Sequence, residues 1–323
     1  MQKTLLLTHN FTDPEFNLAS EEYLLKEREE NFIYFWVNSP SVIVGVNQNT
    51  TLEVNLSFTE KNGIKVVRRL TGGGAVYHDL NNLNYTVITG YKDGEHDFMR
   101  YASPVVEYLR KLGLNANFSG RNDIEIDGRK ISGNAQTVYN GRVLHHGTLL
   151  FKTDLKTLDD ALKPNKLKIE SKGIKSVRAR VTNISENLPE LSFEEFKKNL
   201  IEFFSDKTKR YHLTKQDIDR INEIKKQKYS TYEWNVGYSP KATNLFEHKF
   251  NFGVFSFSFD VVKGYIQNAF ITGDFFSKKP IKEFMETLNG IKWEIESVEK
   301  AFKNVSEYIV NADYKEIVNK LFS

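Results

Sequence analysis

Residues 1–150 alternate two kinds of residue pattern, and this alternation restricts the fold more than any other feature of the chain. Short runs rich in β-branched and aromatic residues, which favour strands, are separated by segments in which apolar residues recur at helical spacing. The predicted strands are Lys3–Thr8, Phe32–Val37, Ser41–Val44, Ile64–Arg69, Leu83–Ile88, Asp123–Ile126, Asn134–Tyr139 and Val143–Lys152. We therefore expect an α+β fold in which helices pack against a mixed sheet.

Local signals place two helices and one tight turn in this region. Asp13 is a favourable N-cap and Pro14 suits the first helical position, which predicts a helix that starts there. A second helix is predicted near Pro104–Leu112 on the same grounds. The pair Asp127 and Gly128 lies between alternating residues and predicts a tight hairpin.

The remainder of the chain predicts a long loop, more helices and a separate small domain. Residues 163–184 are rich in Lys, Ser and Arg and lack periodicity, so we expect a loop there. Helical patterns occupy Phe193–Ser205, Lys215–Lys228, Ile281–Leu288, Ser297–Lys303 and Ala312–Phe322. Strand patterns occupy Lys249–Phe259 and Tyr265–Ile271 and predict a hairpin around Lys263 and Gly264. Because a turn-rich passage from Tyr232 to Asn244 precedes the last group, we expect a large domain of residues 1–245 and an accessory domain of residues 246–323.

Composition excludes several classes of protein. Hydrophobic residues make up 40% and charged residues 27% of the chain, which is typical of a globular protein with an apolar core. The net charge of +3 is spread along the sequence, so nucleic acid is not the expected partner. The opening three-leucine run is too short for a secretory signal, and no stretch approaches the roughly 20 apolar residues of a membrane span. We expect a cytoplasmic monomer that binds neither nucleic acid nor membrane.

Cysteine is absent from the sequence. Disulfides and thiolate metal sites are therefore excluded, and so is any mechanism that passes through a thioester on the enzyme.

The segment from Arg68 to Asp79 carries the most chemical information. Gly72, Gly73 and Gly74 follow a predicted strand, and their backbone N–H groups are open to an anionic group. Arg69 could add a planar fork for a phosphate or a carboxylate. The spacing matches neither the dinucleotide-binding nor the Walker pattern, so these residues alone also allow a simple glycine turn with solvated arginines.

Further segments agree, in order, with the motifs of one known family. They are Phe16–Ala19 with Glu21 and Glu22, Gly128–Gly133, His145–Thr148, and Gly173–Arg178 with Arg180–Asn183. Together with the glycine segment they resemble the lipoate protein ligases, a family related in fold to biotin ligases and octanoyl transferases. The resemblance covers most of residues 1–245. Asn81 stands where the family has glycine, and we expect the turn to survive because asparagine tolerates the left-handed conformation.

The resemblance implies a two-step ligation that uses ATP and Mg²⁺. The lipoate carboxylate attacks the α-phosphate of ATP, and a lysine of an acceptor protein then displaces AMP. The acceptors implied are lipoyl domains of 2-oxoacid dehydrogenase E2 subunits and the glycine cleavage H protein. Both steps concentrate negative charge, so fixed cations and N–H donors are needed.

The resemblance also assigns roles to particular residues, with residues 1–245 as the catalytic domain. It implies ATP binding by Arg69, Gly74, Ala75, Val76, Tyr77 and Lys130, and lipoate binding by Arg69, Gly73, Gly74, His78 and Lys130. A loop with Lys172, Gly173, Ser176, Val177 and Arg178 would fold over the adenylate. Lys130 is the expected catalytic residue, because a compact ammonium can bridge two oxyanions that otherwise repel each other.

Two histidine positions and one acidic position remain. His145 and His146 are neighbours on a predicted strand, so they point to opposite faces and cannot share a metal ion; structural or pocket-wall roles are expected. His78 with Asp79 could order the glycine segment through hydrogen bonds. Asp123, with Asn122, could help to hold Mg²⁺, which prefers oxygen ligands and substrate phosphates.

Other functions remain open at this point. Bacterial octanoyl transferases of similar fold use a cysteine nucleophile, which this chain lacks. A transferase that accepts preformed lipoyl-AMP, a non-catalytic module that binds lipoate or a nucleotide, and a biotin ligase are the alternatives. The sequence does not predict whether lipoate or octanoate is preferred.

Overall fold

The computed structural model describes residues 4–91, 97–120, 122–162, 181–237 and 244–322. Its largest sheet has eight strands in the order β11-β1-β2-β6-β10-β9-β8-β7. The strands are β1 (Leu5–Thr8), β2 (Phe32–Val37), β6 (Asn82–Gly90), β7 (Ala116–Ser119), β8 (Asp123–Ile126), β9 (Arg129–Tyr139), β10 (Arg142–Leu150) and β11 (Lys209–Tyr211). β1 pairs in parallel with β2 and β11, and the other neighbours are antiparallel, so the predicted mixed sheet is confirmed.

A second sheet of three short strands lies against the first. It consists of β3 (Ser41–Val44), β4 (Lys65–Arg68) and β5 (Val76–His78), in the order β4-β3-β5. Ile43 and Val67 of this small sheet share a hydrophobic core with Trp36 and Leu144 of the large sheet. The opposite face of the large sheet is covered by other helices and has its own core, in which Phe35 is buried.

Seven helices of the described residues precede the C-terminal region. They are α1 (Pro14–Lys26), α2 (Thr50–Glu53), α3 (Leu56–Lys61), α4 (Phe98–Lys111), α5 (Leu155–Ala161), α6 (Phe193–Ser205) and α7 (Lys215–Ile224). A π-helical turn, Lys225–Tyr229, extends α7, and another spans Glu233–Gly237. The start of α1 is confirmed, because Asp13 accepts a hydrogen bond from the Glu15 amide and Pro14 is the first helical residue.

The helix predicted near Pro104–Leu112 starts earlier than expected. α4 begins at Phe98, where the side chain of Asp97 caps the amide of Arg100, and Pro104 lies inside the helix. Proline inside a helix removes one backbone hydrogen bond. Burial of the α4 face that carries Tyr101, Ala102 and Val105 outweighs that cost.

The C-terminal residues form a unit with its own core. Its sheet has three strands, β12 (Asn244–Phe250), β13 (Gly253–Val262) and β14 (Tyr265–Gly273), followed by α8 (Ile281–Leu288), α9 (Ile295–Phe302) and α10 (Tyr314–Leu321). The hairpin around Lys263 and Gly264 is confirmed. The single strand predicted over Lys249–Phe259 is wrong, because the chain reverses after Phe250 and Gly253 adopts a φ of 133°.

Two further predictions concern the long loop and the absence of membrane-spanning helices. Most of the loop predicted over residues 163–184 lies outside the described residues. The described chain resumes at Val181, which pairs with Lys130, and a 3₁₀ turn follows at Ile184–Glu186. Within the described parts of the chain, every helix is too short or too polar to cross a membrane.

Candidate active site

A cavity with a volume of about 120 Å³ lies between the large sheet and the small sheet. The large sheet supplies Trp36 from β2, Asn84 from β6, His146 from β10 and Lys130 from β9. The other wall comes from the small sheet and the glycine segment. Most of the predicted ligand-binding residues line this one cavity, namely Arg69, Gly73, Gly74, Ala75, Val76, His78 and Lys130.

Tyr77 is the exception among the predicted ATP-binding residues. It lies between Val76 and His78 on β5, and alternation turns its side chain to the other face of the strand. There the ring packs with Val42 and Val44, and burial raises the pKa of Tyr77 to about 12. Only the backbone of Tyr77 is therefore available to a ligand in the cavity.

Arg69 is buried and shapes the glycine segment from within. Its Nε donates to Thr71 Oγ1 at 2.8 Å, and its Nη2 donates to the carbonyls of Gly72 and Gly74 at 2.6 and 2.9 Å. Nη1 donates to the carbonyl of Ile43 at 3.1 Å. Burial lowers the pKa of Arg69 to about 10, which leaves it charged at neutral pH. The open fork expected for a phosphate is thus largely occupied by the loop itself.

The glycine segment also contacts the C-terminal unit. Gly73 has a φ of 90°, which favours glycine, and its N–H donates to the carbonyl of Phe275 at 3.4 Å. A Cβ placed on Gly72 would lie 2.3 Å from the same carbonyl oxygen. Nearby, Asn47 Nδ2 donates to Ser277 Oγ at 2.7 Å. The two parts of the chain therefore meet at the edge of the cavity.

Lys130 follows the predicted hairpin turn, which is confirmed by positive φ angles at Asp127 and Gly128. Its ammonium pairs with a carboxylate oxygen of Asp123 at 2.7 Å, and both side chains are 32% exposed. The carbonyl of Lys130 accepts from the Thr182 amide at 2.9 Å. The chain thus returns from the predicted adenylate loop directly beside Lys130, although Lys172, Gly173, Ser176, Val177 and Arg178 lie outside the described residues.

Asp123 is the residue predicted to help hold Mg²⁺. No cluster of three or more His, Cys, Asp or Glu side chains suited to a metal ion occurs in the described part of the chain. A lone carboxylate still suits Mg²⁺ that is held mainly by substrate phosphates and water. The magnesium site stays a prediction.

Comparison with known proteins identifies the family. Residues 13–205 match the model of the lipoyl protein ligase A/B catalytic domain, and residues 239–321 match the bacterial lipoate protein ligase C-terminus. Lipoate–protein ligase 1 of Staphylococcus aureus is 45% identical over 93% of this chain and 92% of its own length. The chain belongs to the lipoate–protein ligase family. The predicted family is therefore confirmed, and so is the prediction that the chain is an enzyme.

Other relatives and solved structures agree. Lipoate-protein ligase LplJ of Bacillus subtilis is 42% identical over 97% of this chain and 98% of its own length. The crystal structure of P. falciparum LipL1 in complex with lipoate superimposes with a TM-score of 0.81 at 26% identity, covering 98% of both chains. A lipoate-protein ligase A bound with ATP superimposes with a TM-score of 0.64 at 32% identity, covering 73% of this chain and 98% of its own. The predicted fold class is thereby confirmed.

The adjacent histidines of this ligase point to opposite faces, as predicted. His145 is buried away from the cavity, where Gln136 lies 3.0 Å from its Nδ1, and burial lowers the pKa of His145 to about 3. His146 lines the cavity and contacts Glu21 through Nδ1 at 2.9 Å. Its Nε2 lies 2.8 Å from Thr71 Oγ1.

A buried chain of hydrogen bonds connects this histidine to the glycine segment. A carboxylate only accepts, so Nδ1 of His146 donates to Glu21, and Nε2 of the same ring shares a hydrogen bond with the Thr71 hydroxyl. Thr71 in turn accepts from Nε of Arg69. The position of Arg69, and with it the shape of the loop, therefore depends on Glu21 and His146.

Sequence reasoning missed part of this site. The sequence assigns Glu21 no role beyond its membership of a motif, and it assigns Thr71 none beyond its place in the segment from Arg68 to Asp79. Trp36 and Leu18, which also line the cavity, carry no signal in a single sequence because buried apolar residues look alike whether they face a core or a ligand.

Asp79 orders the turn after the glycine segment. Its carboxylate accepts from the backbone amides of Asn81 and Asp154, at 2.9 and 2.8 Å. The turn is formed as expected, but Asn81 does not adopt the left-handed conformation. The replacement of the family's glycine by Asn81 therefore costs no backbone strain.

Proposed function

We propose that this ligase activates lipoate with ATP and transfers the lipoyl group from lipoyl-AMP to a lysine of an acceptor protein. The observation that carries the proposal is a single cavity with two chemically different kinds of lining. Leu18, Trp36 and Ile43 supply apolar side chains. Lys130 and the glycine segment supply an ammonium and backbone amides. The relatives whose structures contain lipoate or ATP support the same substrates for this chain.

Sheet geometry gives the acid an orientation in the cavity. Trp36 lies on β2 and Lys130 on β9, which are three strand intervals apart in the order β2-β6-β10-β9. Strand spacing makes this separation about 14 Å, enough for an extended octanoyl-length chain. The carboxylate then lies at Lys130, and the dithiolane ring lies among the apolar side chains.

The first step requires two negative groups to approach each other. The carboxylate oxygen bonds to the α-phosphorus of ATP while the bond to pyrophosphate breaks. Lys130 Nζ lies where it can contact both groups and reduce their repulsion, and Asp123 holds the ammonium in place beforehand. The backbone amides of Gly74, Ala75, Val76 and Tyr77, with Arg69 behind them, are proposed to hold the nucleotide.

In the second step the acceptor's lysine amine bonds to the acyl carbon, and AMP leaves with the pair of electrons from the mixed anhydride bond. The acceptor's lysine approaches from the solvent. It can reach the adenylate beside Lys130 because the side chains of Lys130 and Asp123 are partly exposed. Residues Lys172, Gly173, Ser176, Val177 and Arg178 are proposed to cover the adenylate and exclude water until the acceptor binds.

Magnesium and the acceptors complete the proposal. Asp123 would hold Mg²⁺ together with the phosphates of ATP, and the ion would neutralise charge on the departing pyrophosphate. A solved relative from Thermoplasma acidophilum, 34% identical with a TM-score of 0.65 over 75% of this chain and 99% of its own, is described as a ligase with its E2 lipoyl domain. We propose lipoyl domains of E2 subunits, or the H protein, as acceptors here.

The remaining expectations are carried forward as proposals. The chain is proposed to divide into a catalytic domain of residues 1–245 and an accessory domain of residues 246–323, in line with a separate core that runs from Phe250 to Val318. It is proposed to act as a monomer in the cytoplasm, without binding nucleic acid or membrane.

The test is isotope exchange of pyrophosphate into ATP, run side by side with lipoate, octanoate and biotin. Exchange that depends on lipoate and Mg²⁺ is expected, because formation of lipoyl-AMP is reversible while no acceptor is present. Exchange with biotin alone would make the chain a biotin ligase. If no acid supports exchange but added lipoyl-AMP lipoylates an acceptor domain, the chain is a transferase and the activation step must be abandoned.

A further inference from the structure

His78 lines the cavity beside Trp36, whose strand β2 is three strand intervals from the strand β9 that carries Lys130. His78 is 3% exposed, and its ring meets the ring of Trp36 edge to face, with centroids 6.0 Å apart. Its strand β5 pairs with Ser41 of β3, which follows β2 in the chain. His78 is thus placed beside Trp36, where the proposed orientation puts the dithiolane ring of bound lipoate.

The surrounding amides determine which nitrogen of His78 carries the proton. Nδ2 of Asn17 donates to the backbone carbonyls of Phe11 and Val37, at 3.2 and 3.0 Å, and carbonyls only accept, so the Asn17 amide has one possible orientation. The Asn38 atom 2.9 Å from that nitrogen must then be its oxygen. Asn38 Nδ2 consequently faces His78 Nδ1 at 3.1 Å, and Nδ1 accepts.

The proton of the neutral imidazole is therefore on Nε2. This atom is buried, and it has no hydrogen-bond partner among the described residues. Burial, with smaller effects of Arg69 and His146, lowers the pKa of His78 to about 3, so the ring stays neutral at physiological pH. Buried donors are nearly always satisfied in native proteins, and an unsatisfied donor in a cavity wall indicates a missing acceptor.

We infer that Nε2–H of His78 is a specificity determinant, which donates to a ring sulfur of lipoate and thereby selects lipoate against plain fatty acids. The inference rests on the proposed acid site. Sulfur in a thioether or disulfide is a weak hydrogen-bond acceptor, whereas an alkyl chain has no acceptor atom. Octanoate fills the same cavity but leaves the donor buried and unpaired, and sites built to pair with a substrate group discriminate against analogues that lack it.

The proton position is tested first, on the wild-type protein. Imidazole ¹⁵N spectra of protein labelled at histidine, assigned by through-bond correlation to the backbone, are recorded between about pH 5 and 8 without ATP. A ring protonated at Nε2 throughout, with an Nε2 resonance that moves when lipoate is added, is expected. A ring protonated at Nδ1, or one that titrates in this range, overturns the inference.

Selectivity is tested by binding, again without ATP. The probes are lipoate, octanoate and 5-cyclopentylpentanoate, which has the shape of lipoate with methylene groups in place of both sulfurs. Wild type is expected to bind lipoate about tenfold more tightly than the carbocyclic analogue, the scale of one weak hydrogen bond. In His78→Phe, which keeps an aromatic wall but has no donor, this ratio is expected to fall to about one.

Ile43→Val is the matched control, because it trims the same cavity without removing a donor. This variant should bind all three acids more weakly by a similar factor, so the ratio of their affinities should stay at the wild-type value. A His78→Phe ratio that stays at the wild-type value would show that His78 is only a wall, and if that variant does not fold, the wild-type spectra still decide. Selective lipoate binding without pyrophosphate exchange would overturn the proposed ligase activity but leave this inference standing.

Discussion

Lys130 differs from an ordinary surface lysine in what surrounds it. Its ammonium is ion-paired with Asp123 and lines the cavity between the two sheets. Lys130→Ala is expected to lower lipoate-dependent pyrophosphate exchange about a hundredfold or more, the usual cost of removing one group that stabilises developing charge. The measurement is the initial exchange rate at saturating ATP and lipoate.

The control for this variant is Lys61→Ala at the exposed end of α3, which should exchange at the wild-type rate. Circular dichroism should show that both variants are folded, because Lys130 lies beside a hairpin turn and outside the hydrophobic cores. A wild-type exchange rate in Lys130→Ala would show that the lysine has been assigned wrongly.

Thr71 connects His146 to Arg69 through its hydroxyl group. Among the described residues, no other atom of this side chain takes part in the chain of hydrogen bonds. Thr71→Val keeps the shape of the side chain but leaves Arg69 Nε–H and His146 Nε2 without that partner. The free energy of unfolding is expected to fall by about 2 kcal/mol, the usual value for a buried hydrogen bond to a charged group. Urea denaturation measures it.

Thr71→Ser retains the hydroxyl and should stay close to the wild-type stability. If Thr71→Val and Thr71→Ser were equally stable, the chain from Glu21 to Arg69 would not hold the glycine segment. Thr71→Val should also bind ATP more weakly than wild type, since Arg69 fixes the carbonyls of Gly72 and Gly74.

At the residue scale the sequence predicted the location of the site better than its internal contacts. Gly73 and Gly74 can be recognised in the sequence because consecutive glycines free the backbone, and Lys130 because it follows a recognisable turn. Motifs therefore predict these three residues of the cavity lining. The sequence predicts that the Arg69 fork serves a phosphate or a carboxylate, but it does not predict that the same guanidinium also donates to carbonyls of its own loop. Such a choice depends on which acceptors folding brings near, and that information is distributed over distant residues such as Ile43.

At the element scale, Asp217 ties together three parts of the catalytic region. It is the N3 residue in the capping box of α7, and it accepts hydrogen bonds from Tyr23 of α1 and Tyr211 of β11, at 2.5 and 2.6 Å. Burial alone would raise its pKa, but these hydroxyls and the Thr214 amide outweigh that effect and lower the pKa of Asp217 to about 2. The folded state therefore prefers the charged carboxylate.

The sign of the pH dependence follows from this pKa. An unfolded aspartate has a pKa of about 3.9, so a folded value near 2 contributes about 2–3 kcal/mol of stability that is complete above pH ~4 and lost as pH falls toward ~2. Asp217→Asn should therefore be less stable than wild type at neutral pH, and the difference should shrink between about pH 4 and pH 2. Urea denaturation across this range tests it.

Asp219→Asn on the same helix is the control, because Asp219 is exposed. It should cost little stability at any pH. A difference between Asp217→Asn and wild type that stayed constant from neutral pH down to pH ~3 would contradict the proposed role of the charged form.

Elements with strong local patterns were predicted, and elements fixed by distant contacts were not. α1, the β8–β9 hairpin and the β13–β14 hairpin each have their own cap or turn residues. The three-residue strands β5 and β11 are too short to show alternation, and they exist because β3 and β1 offer edges to pair with. The early start of α4 likewise depends on burial, which outweighs the proline signal.

At the scale of the whole molecule, the C-terminal unit contacts the glycine segment at Gly73, directly before the amides proposed to bind ATP. Gly273 N–H donates to the carbonyl of Asn47 at 2.7 Å, and the carbonyl of Phe275 accepts from Gly73. A ligand that used the Gly73 amide, which the resemblance assigns to lipoate, would have to replace that carbonyl. We expect the C-terminal unit to move relative to the rest of the chain between activation and transfer, and scattering curves identical with and without lipoyl-AMP would count against that motion.

Gly72→Ala tests the docking directly, because it changes one contact and leaves the backbone unstrained. The new Cβ would lie 2.3 Å from the Phe275 carbonyl oxygen and 3.1 Å from the Phe276 Cα, and the φ of Gly72 lies outside the left-handed region, so an alanine fits the loop itself. The C-terminal unit must therefore move away. Small-angle scattering should show a larger radius of gyration than for wild type.

Gly90→Ala is the matched control, since a Cβ there meets no atom within 4 Å. It should scatter like wild type. If Gly72→Ala scatters like wild type as well, the close approach of Phe275 is not what holds the two parts together. If it opens the molecule and lipoate-dependent exchange rises or falls with it, the C-terminal unit controls access to the glycine amides, and the same scattering change should then follow when wild type binds ATP and lipoate.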